Sequence, residues 1–247
     1  MIPVVETFGP TVQGEGPNAG ARCIFVRVKG CDFCCDFCDS KFTWKNSDVE
    51  AEEYTEELLV SKLMHMCKST SCYQVVLTGG NPCLYDFARV VSVLIVNNIK
   101  VDVETQGSLF PKWLSMIDTI VFSPKPPSSK MPDTYNDITK YIQERIDFSN
   151  HGQTIAIKIP VFNDEDIEFA RNYAQFVQVF NRIYDSQIKM YLSVGNSDTD
   201  TTESIRDRVL TDYESLLNKI NNNPEYFENV FILPQIHTLV WGNKQGV

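Results

Sequence analysis

The sequence lacks any apolar run that approaches the length of a membrane span, so a spanning helix is not expected. Its first residues, Met1-Ile2-Pro3-Val4-Val5-Glu6, carry no basic stretch followed by an apolar core, and no secretory leader is expected. A basic excess is missing too. The 22 Lys and Arg stand against 32 Asp and Glu, a net charge of −10 that argues against gripping nucleic-acid backbone. The expected partner is a small molecule, with no direct nucleic acid and no membrane. No repeat, low-complexity tract or linker interrupts the 247 residues, which points to one domain over 1–247. The eight cysteines are not spread as a paired framework, and this suits a reducing cytoplasm better than a secreted disulfide scaffold.

Against these absences stands one crowded stretch, Lys29-Gly30-Cys31-Asp32-Phe33-Cys34-Cys35-Asp36-Phe37-Cys38-Asp39-Ser40, where four cysteines fall within eight residues. Packing alone does not ask for this, because one buried Cys serves a core as well as four. Clustered thiolates suit zinc, copper(I) or iron–sulfur centres. A structural zinc site wants four tetrahedral ligands, typically two separated pairs. Here Cys67, Cys72 and Cys83 stand singly. Cys31, Cys35 and Cys38 form C-x3-C-x2-C with Cys34 as a bystander; replacing Cys35 by Cys34 gives C-x2-C-x3-C, an alternative that fits less well. Three thiolates can hold three corners of a [4Fe–4S] cube and leave the fourth iron open, whereas an electron carrier normally supplies a fourth Cys. An open iron implies chemistry at the cluster.

The rest of the chain alternates strand and helix. A first short strand is predicted over 4–8, then a turn-rich loop in which Gln13 and Glu15 stand among glycines. The alternating strand 22–28 delivers the chain into the cysteine loop and turns Arg27 to the face opposite Val26 and Val28, where a guanidinium can clamp a carboxylate. Residues 45–53 suggest a surface connection. Thr55 is an N-cap with Glu56 and Glu57 in the first turn of a helix whose apolar stripe is Leu58, Leu59, Leu63 and Met66. Strands follow at 73–77, 100–103, 119–122, 154–159 and 189–194, and helices at 84–97, 111–116, 135–146, 164–180 (capped by Asn163) and 204–220. The polar loop 198–202 precedes the last helix. Repeated alternation implies a parallel sheet with ligands at the carboxyl ends of its strands. There sit Thr78-Gly79-Gly80-Asn81-Pro82, Glu104-Thr105-Gln106-Gly107, Ser123-Pro124-Lys125 and Gly195-Asn196. About six strands predict an α/β fold, a single-domain open or partial (β/α)6 barrel. The tail over 231–247 stays apolar and aromatic almost to its end, so it is expected to dock near the active site, bringing His237 or the Val247 carboxylate to the substrate.

The cysteine pattern, with Phe37 before its last Cys, resembles the radical S-adenosylmethionine superfamily. Phe8-Gly9-Pro10-Thr11-Val12-Gln13-Gly14-Glu15-Gly16, Phe25-Val26-Arg27, the strand-end motifs, Ser123 to Met131 and Leu233-Pro234-Gln235 onward resemble, nearly end to end, the 7-carboxy-7-deazaguanine synthase family of queuosine and deazapurine biosynthesis. The resemblance implies a radical S-adenosylmethionine barrel in which the reduced cluster cleaves S-adenosylmethionine to a 5′-deoxyadenosyl radical. That radical takes a hydrogen from 6-carboxy-5,6,7,8-tetrahydropterin, the ring contracts and ammonia leaves. It further implies that Cys31, Cys35 and Cys38 hold the [4Fe–4S] cluster. Phe37, Cys38, Asp39, Gly80, Glu104, Ser123, Pro124, Lys125 and Ser193 would hold S-adenosyl-L-methionine. Val12, Gln13, Gly14, Glu15, Arg27, Thr78, His237 and Val247 would grip the pterin. Ser40 would bind Mg2+, a hard cation that takes few protein ligands. An electron donor such as flavodoxin or ferredoxin and a homodimer are implied as well. Ser40 stands where the family often has Thr, and Asn81 where many superfamily members carry Glu. The rival readings are an activase that makes a glycyl radical on a partner protein, and a non-catalytic metal-binding module. Scattered remaining cysteines weigh against the first; the missing fourth ligand and the strand-end motifs weigh against the second.

Overall fold

A computed structural model describes residues 1–247 except 45–48, 147–151, 197–204, 245 and 247. In chain order the elements are β1 (Ile2–Val12), β2 (Arg22–Val28), β3 (Glu52–Tyr54), α1 (Glu56–Thr70), β4 (Gln74–Gly79), α2 (Ala88–Val96), β5 (Lys100–Thr105) and β6 (Thr119–Phe122). They continue with α3 (Tyr135–Ile146), β7 (Thr154–Val161), α4 (Asp164–Tyr184), β8 (Lys189–Val194), α5 (Ile205–Asn221), β9 (Val230–Leu233) and α6 (Ile236–Trp241). Among the described residues nine strands form one sheet, ordered β3-β1-β2-β4-β5-β6-β7-β8-β9. β2 and β4 to β9 run parallel, and β1 lies antiparallel to both β2 and β3. The sheet is not closed, since β3 and β9 are its two edges.

The six predicted barrel strands are present as β2 and β4 to β8, and three further strands flank them. β1 runs well past Phe8 because its pairing with β2 skips between Phe8 and Thr11, where Pro10 has no N–H to give. β3 begins at the end of the stretch expected as a surface connection and runs one residue past it. The helix expected over 111–116 is a short 3-10 turn, Lys112–Met116. The polar loop 198–202 and the helix start at Ser204 lie outside the described residues.

Alternation along each strand divides the molecule. Val26 and Val28, Val75 and Leu77, Val101 and Val103, Ile157 and Ile159, and Met190 and Leu192 join the apolar core under the helices. Their neighbours Arg27, Thr78, Glu104 and Lys158 face the lumen and line its cavity. In α1 the Thr55 side chain accepts from the Leu58 N–H at 3.2 Å, as the sequence suggests. The buried stripe is Leu59, Leu63 and Cys67, at i, i+4 spacing; Leu58 is 59% exposed because it falls on the far side of the turn. Asn163 caps α4 by accepting from the Asp166 N–H at 3.0 Å.

Candidate active site

The carboxyl ends of the parallel strands open on a cavity of about 510 Å³. Cys31, Cys35 and Cys38 all line it. Cys34 is exposed and packs outward, its Sγ 3.9 Å from Met131 Sδ. Burial pushes all three lining thiols up, Cys35 to about 11, while the Lys125 ammonium pulls them back down. Such thiols lose their protons only when a cation takes their place. Among the described residues no three His, Cys, Asp or Glu side chains converge on a single-ion site. Three soft thiols on one cavity-lining loop suit a multi-iron cluster, in which each thiol would meet a different iron. The Trp44 indole N–H donates to Cys38 Sγ at 3.3 Å, and Gln106 Nε2 lies 3.9 Å from Cys31 Sγ.

The strand-end motifs hold this loop in place. A Cβ at Gly80 would collide with the carbonyl of Gly30, so only glycine lets β4 approach the cysteine loop this closely. The Gly80 N–H donates to Val28 O at 3.0 Å and the Asn81 N–H to Gly30 O at 2.8 Å. The Asn81 side chain, fully buried, donates to Asp32 Oδ1 at 2.8 Å and accepts from Thr105 Oγ1 at 3.0 Å. Gln106 Nε2 donates to the same Asp32 oxygen at 2.6 Å. Asn81 thus braces the cysteine loop.

Below the loop the lumen is charged. Arg27 Nε donates to Glu6 Oε1 at 2.7 Å and Nη1 to Ser40 Oγ at 2.8 Å, with its guanidinium carbon 5.6 Å from the ring centres of Phe8 and of Phe42. The Ser40 hydroxyl donates onward to Asp39 Oδ1 at 3.0 Å. Glu104 accepts from Gln13 Nε2 at 3.0 Å and from Thr78 Oγ1 at 3.1 Å. Lys158 Nζ donates to Glu15 Oε2 at 2.7 Å, and Gln235 Nε2 to Glu15 Oε1 at 3.1 Å. Burial alone would raise Glu15, yet Lys158 and then His237 outweigh it and bring the carboxyl down to about 2. Burial likewise disfavours the charged Lys158, but Glu15 and Glu104 hold its ammonium above the usual lysine range.

The tail seats against the loop that follows β1. Ile236 N–H donates to Gly14 O at 3.1 Å, and the His237 ring fills the space a Cβ at Gly14 would take. Phe37 lies against Phe162, ring centres 4.2 Å apart, and Lys125 Nζ donates to Ser123 Oγ at 3.1 Å.

The cavity therefore gathers Val12, Gln13, Gly14, Glu15, Arg27 and the cysteines with Phe37, Asp39, Ser40, Thr78, Gly80, Glu104, Ser123, Lys125 and His237. Pro124 and Ser193 are outside its lining; Ser193 is buried, its Oγ without a hydrogen-bond partner among the described residues. Val247 lies outside the described residues. Sequence reasoning missed Lys158, Gln235 and Trp44. The signal for Lys158 was a charged residue at inward parity inside the apolar strand Thr154–Val161.

An open parallel barrel whose cysteine loop overhangs a charged lumen defines a radical S-adenosylmethionine enzyme. Residues 12–110 match the family model of the 4Fe-4S single cluster domain. The crystal structure of QueE from Escherichia coli shares the fold, with a TM-score of 0.65 over 96% of this chain and 94% of that one at 21% identity. The 7-carboxy-7-deazaguanine synthase of Bacillus subtilis (strain 168) is 38% identical over 250 residues, covering 100% of this chain and 98% of its own. That of Bacillus cereus is also 38% identical, covering 100% and 99%. The chain belongs to the 7-carboxy-7-deazaguanine synthase family.

Proposed function

We propose that the chain converts 6-carboxy-5,6,7,8-tetrahydropterin to 7-carboxy-7-deazaguanine and ammonia by radical ring contraction, a step on the route to queuosine and related 7-deazapurines. The observation that carries this reading is one cavity with a three-thiol rim and a lumen charged at both signs, in a chain that matches the synthases over its whole length. When bound, the [4Fe–4S] cluster and S-adenosylmethionine supply the radical that removes a hydrogen atom from the pterin.

In this reading Cys31, Cys35 and Cys38 hold the cluster, and the exposure of Cys34 supports leaving it out. Phe37 and Asp39 line the adenosyl side with Gly80, Ser123 and Lys125. Glu104, tied to Gln13 and Thr78, belongs with the pterin-facing groups as much as with the cofactor. Arg27 offers a guanidinium to the substrate carboxylate, and Gln13, Glu15 and His237 line the same cavity. Pro124, Ser193 and the Val247 carboxylate remain part of the reading by resemblance. The apolar tail, seated by Ile236 on Gly14, would help keep water from the site when the cofactor is bound.

Ser40 would offer its hydroxyl oxygen to Mg2+, and such an ion would have to displace Arg27 from it. A single domain, a homodimer, a flavodoxin or ferredoxin donor and a cytoplasmic setting complete the proposal. Among the described residues no helix is long and apolar enough to cross a membrane.

The test is anaerobic. Reconstituted, reduced protein is given the pterin and S-adenosylmethionine, with and without Mg2+, and 7-carboxy-7-deazaguanine is followed by chromatography. Cofactor cleavage with the pterin left intact would sink the substrate assignment; zinc without iron in anaerobically purified protein would sink the chemistry.

A further inference from the structure

Lys158 is a buried ammonium that no motif called for. It sits in mid-β7 between the core residues Ile157 and Ile159, its side chain 10% exposed, and reaches Glu15 Oε2 at 2.7 Å. Glu15 is itself only 14% exposed, and its other oxygen accepts from Gln235 of the tail. Burying such an ion pair is costly, and an apolar pair of similar volume often serves stability as well or better. The pair also borders the cavity. A carboxylate has about four lone-pair sites; among the described residues Lys158 and Gln235 each take one on a different oxygen, which leaves acceptor capacity on both. That matches a ligand edge with two parallel N–H donors. The pyrimidinone edge of a pterin, N2–H beside N3–H, is such an edge, while the substrate carboxylate lies at the other end of the bicycle, the end suited to Arg27.

We propose that Lys158 is a positioning residue for the pterin: it keeps Glu15 an ionised acceptor on the cavity wall, so that Glu15 takes the N2–H and N3–H donors of the pyrimidinone edge. This rests on the reaction proposed above. The depressed Glu15 carboxyl supports it. The charged groups that bear on the pair are Lys158 from β7, His237 from α6, Glu104 from β5 and Asp39 from the cysteine loop.

The experiment measures steady-state kinetics on the pterin substrate for reconstituted wild type, Lys158→Met and Lys158→Arg, between about pH 6 and about pH 9. The KM of each variant is divided by that of wild type at the same pH, so pH effects common to all the proteins cancel. Lys158→Met should raise KM about tenfold or more at the acid end, the loss expected of a charge-assisted bidentate contact, with the ratio falling back toward one as Glu15 ionises at the alkaline end. The loss should fall mainly on KM, and Lys158→Arg should restore it. A ratio near one throughout, or a raised ratio that ignores pH, overturns the role. If Lys158→Met does not fold, Glu15→Gln decides: a raised KM at every pH supports the contact and an unchanged KM overturns it. Wild type inactive on the pterin would overturn the reaction and this role together, whereas active wild type with a flat ratio removes this role alone.

Discussion

Asn81 donates from Nδ2 to Asp32 Oδ1 at 2.8 Å, and this one bond ties the carboxyl end of β4 to the loop that carries all three cavity-lining cysteines. The amide works in both directions, because its oxygen accepts from Thr105 Oγ1 and from the Cys83 N–H. A carboxylate at this position would face Asp32 with like charge; the amide turns the same site into a brace.

Asn81→Leu removes that brace without changing the bulk of the side chain much. Orphaning the buried partners should cost about 1–3 kcal/mol for each group left unsatisfied. Urea denaturation should show the lowered midpoint, and iron per chain after anaerobic reconstitution should fall because the cysteine loop is held less firmly. Asn81→Glu should lose more iron than Asn81→Leu through repulsion from Asp32. Wild-type iron content in both variants would show the brace to be dispensable.

The two adjacent cysteines should behave oppositely. Cys35 is buried in the cavity wall and Cys34 is exposed beside Met131. Cys35→Ala should abolish the signal of the reduced cluster in electron paramagnetic resonance, and Cys34→Ala should keep it. The reverse result would select the alternative spacing.

Arg27 serves Glu6, Ser40 and two aromatic rings with one planar fork. A lysine has the charge and not the fork. Arg27→Lys should therefore raise the KM for the pterin about tenfold or more, as loss of a bidentate carboxylate contact does. Steady-state kinetics that match wild type would remove Arg27 from the substrate clamp.

The Glu15–Lys158 pair sets a pH window for stability. Glu15 is lowered from 4.5 to about 2 in the folded chain, so the unfolded chain binds its proton first as pH falls. Its contribution is present above pH 4.5 and is lost between there and about pH 2. Lys158, raised when folded, has the opposite sign: its contribution is present at neutral pH and is lost only at strongly alkaline pH. Urea midpoints measured down this acid range should fall less steeply for Glu15→Gln than for wild type. Parallel curves would mean that Glu15 titrates alike in the folded and unfolded chains.

What the sequence determined by itself is what local pattern encodes. The strand–helix rhythm marked β2 and β4 to β8, and Thr55 and Asn163 marked helix starts, whereas the glycine pair after β4 suggested room for a ligand and Gly80 instead lets the Gly30 backbone approach. The parity of Arg27 against Val26 and Val28 already set it on the opposite face, which the fold makes the cavity wall. Other features depended on long-range partners. β1 continues through Gly9 and Pro10 only because β2 lies beside it, and β3 exists as a strand only because it pairs with the start of β1. The choice of Leu59, Leu63 and Cys67 over Leu58 was settled by which side of α1 met the core. The largest gap was electrostatic. Lys158 and Gln235 stand 143 and 220 residues from Glu15, and a hydrogen bond across such separations leaves no mark in local sequence. Only the closing of the sheet's carboxyl end by the tail brings them to one carboxylate, and burial there makes the charge on that carboxylate depend on its neighbours.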